Sequence, residues 1–353
     1  MKRILLTGAS GYIGSHTCLI LLKNGYEVYA LDSFINSSPL ALERVLKLAN
    51  YPENKENNLH VYKGDVRNGD ILERIFLDST GSGENISSVI HFAGLKSVSE
   101  SISNPLRYWD FNVNGAINLL KNMKKYDCYT MVFSSSATIY GNIKKDLVDE
   151  SSVINPVNTY GNTKSAVEKL LNDLFSSCKN KLKIANLRYF NPIGAHRSGE
   201  IGENPIGIPN NLFPYITQVA SGKLKQLKIF GKDWPTHDGT GIRDYIHVMD
   251  VAEGHLKVLE YLQKEANQIL NLNLGTGLGT SVLDLVNSFQ RVNNIQIPYV
   301  FSPRREGDVA KIVADNSLAK SILNWSPERT IDQMCIDGWK WQSKNPNGFL
   351  DII

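Results

Sequence analysis

The stretch LLTGASGYIGSH, residues 5 to 16, limits the possible fold more than any other part of this 353-residue chain. It sets Gly8, Gly11 and Gly14 between an apolar run that reads as a strand (residues 3–8) and a helical pattern over 14–24. Glycine at such a junction permits a tight turn and lets backbone N–H groups close on a pyrophosphate at the helix N-terminus. The triplet alone is weak evidence, but its context is not. Asp32 ends the second strand-like run, EVYALD (27–32), 24 residues after Gly8, as a dinucleotide-binding turn requires.

A carboxylate at Asp32 accepts hydrogen bonds from the adenosine ribose hydroxyls and repels a 2′-phosphate. The following SFINSS contains no arginine for such a phosphate, so NAD is expected rather than NADP. Further strand-like runs follow at HVYKGD (60–65), SVIHFAG (88–94), TMVFSSS (130–136) and KIANLRY (183–189). Several are nearly continuous apolar runs, as for strands covered on both faces. Helical patterns alternate with them, among them Pro105 to Lys125 and Thr159 to Ser176. The alternation predicts an α/β fold, a Rossmann-type doubly wound parallel sheet with right-handed crossovers.

After about residue 190 the alternation blurs into loops rich in Gly, Pro and Asn, such as residues 191–211 and 231–244. The expected division is a dinucleotide-binding domain over 1–188 and a smaller α/β substrate lobe over 189–353, with some segments returning to the first domain. Lys+Arg 38 against Asp+Glu 35 gives a net charge of +3, too balanced for a nucleic-acid binder. No apolar run approaches the roughly 18–20 residues of a membrane span. Cys18, Cys128, Cys178 and Cys335 are scattered without a CxxC. Reduced thiols in a cytoplasmic protein, with no zinc knuckle and no metal, are expected.

Tyr-x-x-x-Lys occurs three times, at Tyr51/Lys55, Tyr140/Lys144 and Tyr160/Lys164. The first sits in NYPENKENN and the second precedes Gly141-Asn142, both turn-like. Only the third leads into an apolar helical pattern, with Val167, Leu170, Leu171, Leu174 and Phe175. Residues four apart share a helix face, so Lys164 stands beside Tyr160 and favours its phenolate. Moving a phenol from about 10 to about 7 takes roughly 4 kcal/mol. A lysine plus a positive nicotinamide ring in a partly dry site can supply that. Ser134, Ser135 and Ser136 add hydroxyls at the C-terminal end of a buried strand, where open α/β sheets place ligands.

The Gly-x-x-Gly-x-x-Gly spacing resembles the extended short-chain dehydrogenase/reductases. TGASGYIGSHT, HFAGLKSVSES, FSSSATIYG, LRYFNPIGAH, IPNNL, DGTGIRDYIHVMD and PRREGD together resemble, essentially end to end, the UDP-glucose (UDP-galactose) 4-epimerases. The resemblance implies that Tyr160 is the acid/base, that Lys164 tunes it and holds the nicotinamide ribose, and that Ser136 bonds the hexose 4-hydroxyl. It implies cofactor contacts at Gly8, Gly11, Tyr12, Ile13 and Gly14, then at Asp32, Asn36, Asp65 and Val66. Further cofactor contacts fall at Phe92, Ala93, Gly94, Lys96, Asn112, Ser134, Tyr160, Lys164, Tyr189 and Phe190. The UDP-hexose is implied to meet Lys96, Ser136, Tyr160, Asn191, Asn211, Leu212, Lys228 and Phe230. It also meets Arg243, Tyr245, Arg305, Asp308 and Ile312. A homodimer packed through helices at about 105–125 and 160–177 is implied as well.

Some positions depart from the family pattern. Ser33 stands where many relatives have Asn, Phe111 replaces an Asn before NVNG, and Lys228 occupies a usually small or apolar place. Ile312 stands where relatives restricted to glucose and galactose often carry Tyr. Its intermediate size implies some tolerance of N-acetylhexosamines. A nucleotide-sugar 4,6-dehydratase needs an acidic pair after strand five, where this chain reads Ser136-Ala137-Thr138. UDP-glucuronate 4-epimerases are closer, but IPNNL and the C-terminal motifs favour a neutral hexose. A non-catalytic NAD sensor typically lacks the Tyr or the Lys; both are present.

Overall fold

The computed structural model describes residues 2–49, 58–81, 85–143, 145–177, 181–205, 209, 211–305 and 308–349. Tyr51, Lys55, Lys144 and Cys178 lie outside the described residues. Strands β1 (Arg3–Thr7), β2 (Glu27–Asp32), β3 (Leu59–Lys63), β4 (Ile86–His91), β5 (Thr130–Ser136) and β6 (Lys183–Tyr189) come first. They alternate with α1 (Tyr12–Lys23), α2 (Leu40–Leu48), α3 (Gly69–Thr80), α4 (Val98–Ser103), α5 (Pro105–Tyr108), α6 (Gly115–Lys125) and α7 (Thr159–Ser177). Shorter pieces follow: β7 (Asn191–Ile193), α8 (Leu212–Ala220), β8 (Leu227–Phe230), β9 (Ile242–Arg243), β10 (Tyr245–His247) and α9 (Val248–Lys264). The chain then runs through β11 (Gln268–Leu274), β12 (Thr280–Ser281), α10 (Val282–Asn293), β13 (Tyr299–Ser302), β14 (Lys311–Ile312), α11 (Ser317–Leu323) and α12 (Ile331–Lys344).

Two compact units divide these elements. The first comprises Met1–Gly141, Ile154–Arg188 and Ala252–Leu272. Its sheet has the order β11-β6-β5-β4-β1-β2-β3, and β1 pairs in parallel with both β2 and β4. All residues of β1 and of β5 are buried, which is why their apolar residues, Ile4–Leu6 and Met131–Phe133, stand consecutively rather than alternating with polar ones. One core cluster joins Leu5, Leu31, Ile75, Phe76, Val89, Phe133, Val167 and Leu171. Each such side chain taken from water contributes about 2 kcal/mol against chain entropy.

The strand order reverses between β1 and β4, and open α/β sheets bind ligands at the carboxyl ends of the strands at such a reversal. Here two turns nearly touch. Gly8, at φ +71°, lies so close to the chain after β4 that an added Cβ would meet Ala93 N at 2.7 Å. A Cβ on Gly14 would fall 2.1 Å from the Gly8 carbonyl oxygen. The first turn of α1 carries no acidic residue and its N-cap, Gly11, makes no side-chain cap. A helix N-terminus without a side-chain cap or a carboxylate in its first turn is one that can receive an anion.

The expected helix over 105–125 is not continuous. Between α5 and α6, residues Trp109–Asn114 form a π-helical turn, a feature concentrated at functional sites. The widened turn carries buried Asn112, whose amide grips the chain after β4.

The second unit comprises Asn142–Val153, Tyr189–Val251 and Asn273–Ile353. Its strands are short: β7 with β10, β12-β9-β14, and β8 with β13. Its core gathers Ile193, Phe213, Ile216, Leu227, Ile229, Leu285, Phe289 and Met334, from β7, β8 and the apolar faces of α8, α10 and α12.

Gly14→Ala is expected to cost about 2–3 kcal/mol in thermal unfolding and at least tenfold in dinucleotide affinity, because backbone must shift. Gly69→Ala, whose methyl meets nothing within 4 Å, should be close to neutral in both measurements. Equal effects of the two changes would refute the close-packed turn.

Candidate active site

The β1–α1 turn, with Gly8, Gly11, Tyr12, Ile13 and Gly14, lies beside Asp32, the last residue of β2. The Asp32 carboxylate accepts from Ser10 N–H at 2.9 Å, Phe34 N–H at 2.9 Å and the Ser37 hydroxyl at 2.8 Å. It thereby ties the glycine turn to its own loop, in which Asn36 is exposed. Asp65, after β3, is gripped by Arg67 through both carboxylate oxygens, at 3.0 and 2.7 Å. Those bonds hold its carboxyl below the usual carboxylate range, and Val66 beside it is buried. Phe111, the unusual residue before Asn112, takes the Arg67 guanidinium on its ring face at 3.5 Å.

After β4 come Phe92, Ala93, Gly94 and exposed Lys96. Asn112 Oδ1 accepts from Leu95 N–H at 2.8 Å, and its Nδ2 donates to Leu95 O at 3.1 Å and Thr163 Oγ1 at 2.9 Å. A Cβ on Gly94 would lie 2.9 Å from Asn112 Oδ1 and 3.9 Å from Lys164 Nζ. The loop, the π-helical turn and α7 thus converge on one point.

Helix α7 starts where Asn158 Oδ1 accepts from Gly161 N–H at 2.8 Å and Ser101 Oγ from Tyr160 N–H at 3.1 Å. Lys164 is buried and donates to the Ser134 carbonyl at 2.7 Å. Its Nζ stands 4.9 Å from the Phe133 ring centre and 5.9 Å from that of Tyr160. Ser136 Oγ accepts from Thr138 N–H at 3.2 Å and Thr138 O–H at 3.0 Å. With its lone pairs so engaged, its own hydrogen is left for the Tyr160 phenol, which it draws toward the ionised form. Burial acts in the opposite direction and is stronger, so the phenol is pushed up to about 12. Burial likewise draws Lys164 down to about 8, against the opposing field of Glu168.

In the second unit, Tyr189 and Phe190 are buried, and Phe190 N–H donates to Leu274 O at 3.1 Å. Asn191 faces Tyr245 across the β7–β10 pair. Arg243 faces Ile312 across β9–β14 and donates to the carbonyls of Ile242 and Val309, both at 2.9 Å. Arg305 is exposed; it donates to Asp308 at 3.0 and 3.3 Å and stands 4.8 Å over the Phe230 ring. Burial lowers the Arg243 guanidinium, with Tyr245 and Asp308 opposing the shift and Arg305 adding to it. Phe230, Arg243, Tyr245, Arg305, Asp308 and Ile312 therefore form one cationic, aromatic-lined cluster. Lys228 is exposed two residues before Phe230 on the same face of β8. Asn211 is the N-cap residue of α8, and Leu212 begins that helix.

Sequence reasoning missed several positions. Glu168 continues the four-residue spacing of Tyr160 and Lys164, which is the signal that was available for it. Arg188 and His91 lie on strands that read only as core. Asp244, whose carboxylate accepts from Thr276, Gly277 and Ala314 N–H groups, holds together the loops around Arg243. Among the described residues, His237, Asp238 and Asp284 form the group whose ligand atoms lie within 4.8 Å of one another. Asp238 already accepts from Thr240 and Ser281, and Asp284 closes the α10 capping box.

A parallel sheet with its glycine turn at the strand reversal, and a Tyr-x-x-x-Lys pair set against a serine-ended strand, define an extended short-chain dehydrogenase/reductase. The family profile described as GDP-mannose 4,6 dehydratase matches residues 5–337. The chain is 48% identical over 346 residues to a UDP-glucose 4-epimerase of Bacillus subtilis, covering 98% of each. Among solved structures it is similar to the UDP-glucose-4-epimerase of Stenotrophomonas maltophila with bound NAD and formylated UDP-arabinopyranose. That match has a TM-score of 0.92 at 43% identity, over 98% of this chain and 99% of that one. The Bifidobacterium longum enzyme in complex with NAD+ and UDP matches at TM-score 0.91 and 44% identity, over 98% and 100%. The chain belongs to the UDP-glucose 4-epimerase family.

Proposed function

We infer that the chain is a UDP-glucose 4-epimerase, interconverting UDP-galactose and UDP-glucose with NAD as a retained cofactor. The observation that carries this is the meeting of Tyr160, Lys164 and the end of β5, in a chain aligned with epimerases almost end to end. NAD fits the residues present. The glycine turn is a cradle that any Cβ would fill, and the Asp32 carboxylate ends β2 as the ribose partner should. Gly94, Lys96, Asn112, Tyr189 and Phe190 are assigned to the cofactor as well. Bound there, the cofactor supplies a hydride acceptor for hexose C4 and, once the 4-keto sugar has turned, a hydride donor to its opposite face.

Tyr160 takes the proton of the 4-hydroxyl and returns it at the end of the cycle. Ser136, whose single hydrogen goes to the phenol in the free protein, turns it to the 4-hydroxyl when the hexose is bound, and Lys164 stabilises the phenolate. Arg243 and Arg305 clamp the diphosphate, as two guanidinium forks suit a doubly anionic group. Phe230 and Lys228 are assigned to the nucleotide end, Tyr245 and Asp308 to holding the arginines. Asn191, Asn211 and Leu212 are further substrate contacts. Tight nucleotide binding with a loosely polar sugar pocket lets the sugar turn without release. Dehydration is disfavoured because Ala137 and Thr138 offer no carboxylate after Ser136.

A homodimer is part of the same reading. It is supported by exposed Leu106 (85%) and Trp109 (41%) beside α6. Cys18, Cys128 and Cys335 are buried free thiols and no helix among the described residues is long and apolar enough to cross a membrane. We assign the protein to the cytoplasm, and no metal enters the mechanism.

Purified protein mixed with UDP-galactose, without added NAD, should give UDP-glucose signals by NMR. A 4-keto-6-deoxy product would indicate a dehydratase instead, and no product at all would revive a sensor. Tyr160→Phe should lose at least a hundredfold in kcat while still binding UDP-sugar, and near-normal turnover would sink its role. In the same assay UDP-N-acetylglucosamine should turn over slowly, because Ile312 is smaller than Tyr; complete absence of turnover would refute that tolerance.

A further inference from the structure

Tyr160, Lys164 and Glu168 follow one another at four-residue intervals along one face of α7. Their partners are the three consecutive serines that end β5. The Ser136 hydroxyl meets the Tyr160 phenol, the Ser134 carbonyl accepts from Lys164 at 2.7 Å, and the Ser135 hydroxyl donates to Glu168 at 2.5 Å. Glu168 is held in turn by Arg188 of β6, whose Nε and Nη2 reach its two oxygens at 3.1 and 2.7 Å. The remaining Nη1 of Arg188 donates to Tyr140 OH at 2.9 Å. Ser135, Tyr140, Glu168 and Arg188 are all at most 2% exposed.

A buried ion pair is a poor way to gain stability, because desolvation consumes most of its attraction. Its place is more informative than its strength: one helical turn beyond the buried ammonium, on the same face. We propose that Glu168, fixed by Arg188, is a positioning residue of the active centre. It sets the register of α7 against the serine end of β5 and supplies the buried negative charge that keeps Lys164 an ammonium. This deepens the epimerase reading and rests on it for the role of Lys164.

The groups around Lys164 leave Glu168 as its counter-charge. Tyr160 on α7 is a neutral phenol in the free protein, pushed up by burial. His91 on β4 is kept neutral, drawn down to about 3 by burial and by Lys164 itself, and shares a 2.7 Å hydrogen bond with Thr7 Oγ1. From β5 come the Ser134 carbonyl and the Phe133 ring, and from the π-helical turn Asn112, none of them ionisable. Arg188 on β6 is positive and spends its fork on Glu168.

The test compares Glu168→Gln and the double change Glu168→Gln/Arg188→Met with wild type. The double variant leaves neither member of the Glu168–Arg188 pair as an orphaned buried charge, so it folds even where the single one does not. The Lys164 titration is followed by NMR of isotope-labelled lysine, assigned by Lys164→Arg. Removing the carboxylate should lower the Lys164 midpoint by about one pH unit in the single variant, and by less in the double one, which also removes the positive charge of Arg188. An ammonium that loses its proton at lower pH moves the alkaline limb of kcat to lower pH by the same amount, while KM for UDP-galactose changes less than threefold. An unchanged midpoint and limb, with only a lower unfolding temperature, would make the pair a fold element and overturn the proposal. Wild-type protein that fails to convert UDP-galactose would refute the epimerase reading instead, and the lysine titration would still decide the role of Glu168.

Discussion

The constraint on which the catalytic end of the first unit depends is the burial of one ammonium. Lys164 is 5% exposed, and a charge at that depth exists only where fixed partners replace its water. The carbonyl of Ser134 does so directly, which requires the last turns of β5 and the first turns of α7 to lie side by side. The Phe133 ring adds a face of negative potential. Once Lys164 is held, Tyr160 one turn earlier is placed within reach of Ser136. The catalytic geometry thus follows from satisfying one expensive charge.

The second constraint is backbone proximity at the strand reversal. Gly8 and Ala93 approach so closely that no side chain fits between them, which leaves peptide groups rather than side chains to line the place where the sheet's ligand belongs. Asn112 extends the same economy. A single amide meets both the N–H and the carbonyl of Leu95 and passes on to Thr163 of α7. Removing it would strand two buried backbone groups at about 1–3 kcal/mol each. The π-helical turn around Asn112 makes sense in these terms, as a local loss of helical regularity offset by side-chain bonds that order a loop.

Strands that are covered on both faces announce themselves, because every residue must be apolar or paired. The runs at 27–32, 130–136 and 183–189 accordingly match β2, β5 and β6 residue for residue. The pair Tyr160/Lys164 was legible through the helix it opens rather than through its own spacing, which the chain repeats. The π-helical turn was not, since its residues keep an apolar pattern compatible with a period of 3.6 and differ only in which carbonyl each N–H meets. Nor was the Glu168–Arg188 pair, because two charges far apart in sequence show no sign of being neighbours until β6 and α7 are packed. The second unit was hardest to read. Strands of two to four residues, such as β9, β12 and β14, are too short to show any period, and their pairing is set by contacts far along the chain.

The state of Tyr160 shows how such a site avoids a cost while it holds no cofactor. A phenol near 12 is a weak base at neutral pH, and the protein alone leaves it protonated: burial outweighs the hydrogen bond from Ser136. Lys164, whose ammonium is 5.9 Å from the ring centre and itself drawn down by burial, does not reverse that balance unaided. A phenolate would add a second buried charge beside the first. That is affordable only when further positive charge arrives with the oxidised cofactor, and the phenol would return to its neutral form as that charge is lost. Basicity that comes and goes with the redox state suits a reaction in which one tyrosine must first take a proton from a hydroxyl and then give it back to the same oxygen. The burial that makes Tyr160 a poor base in the free protein is therefore what would let it serve as both base and acid in the proposed cycle.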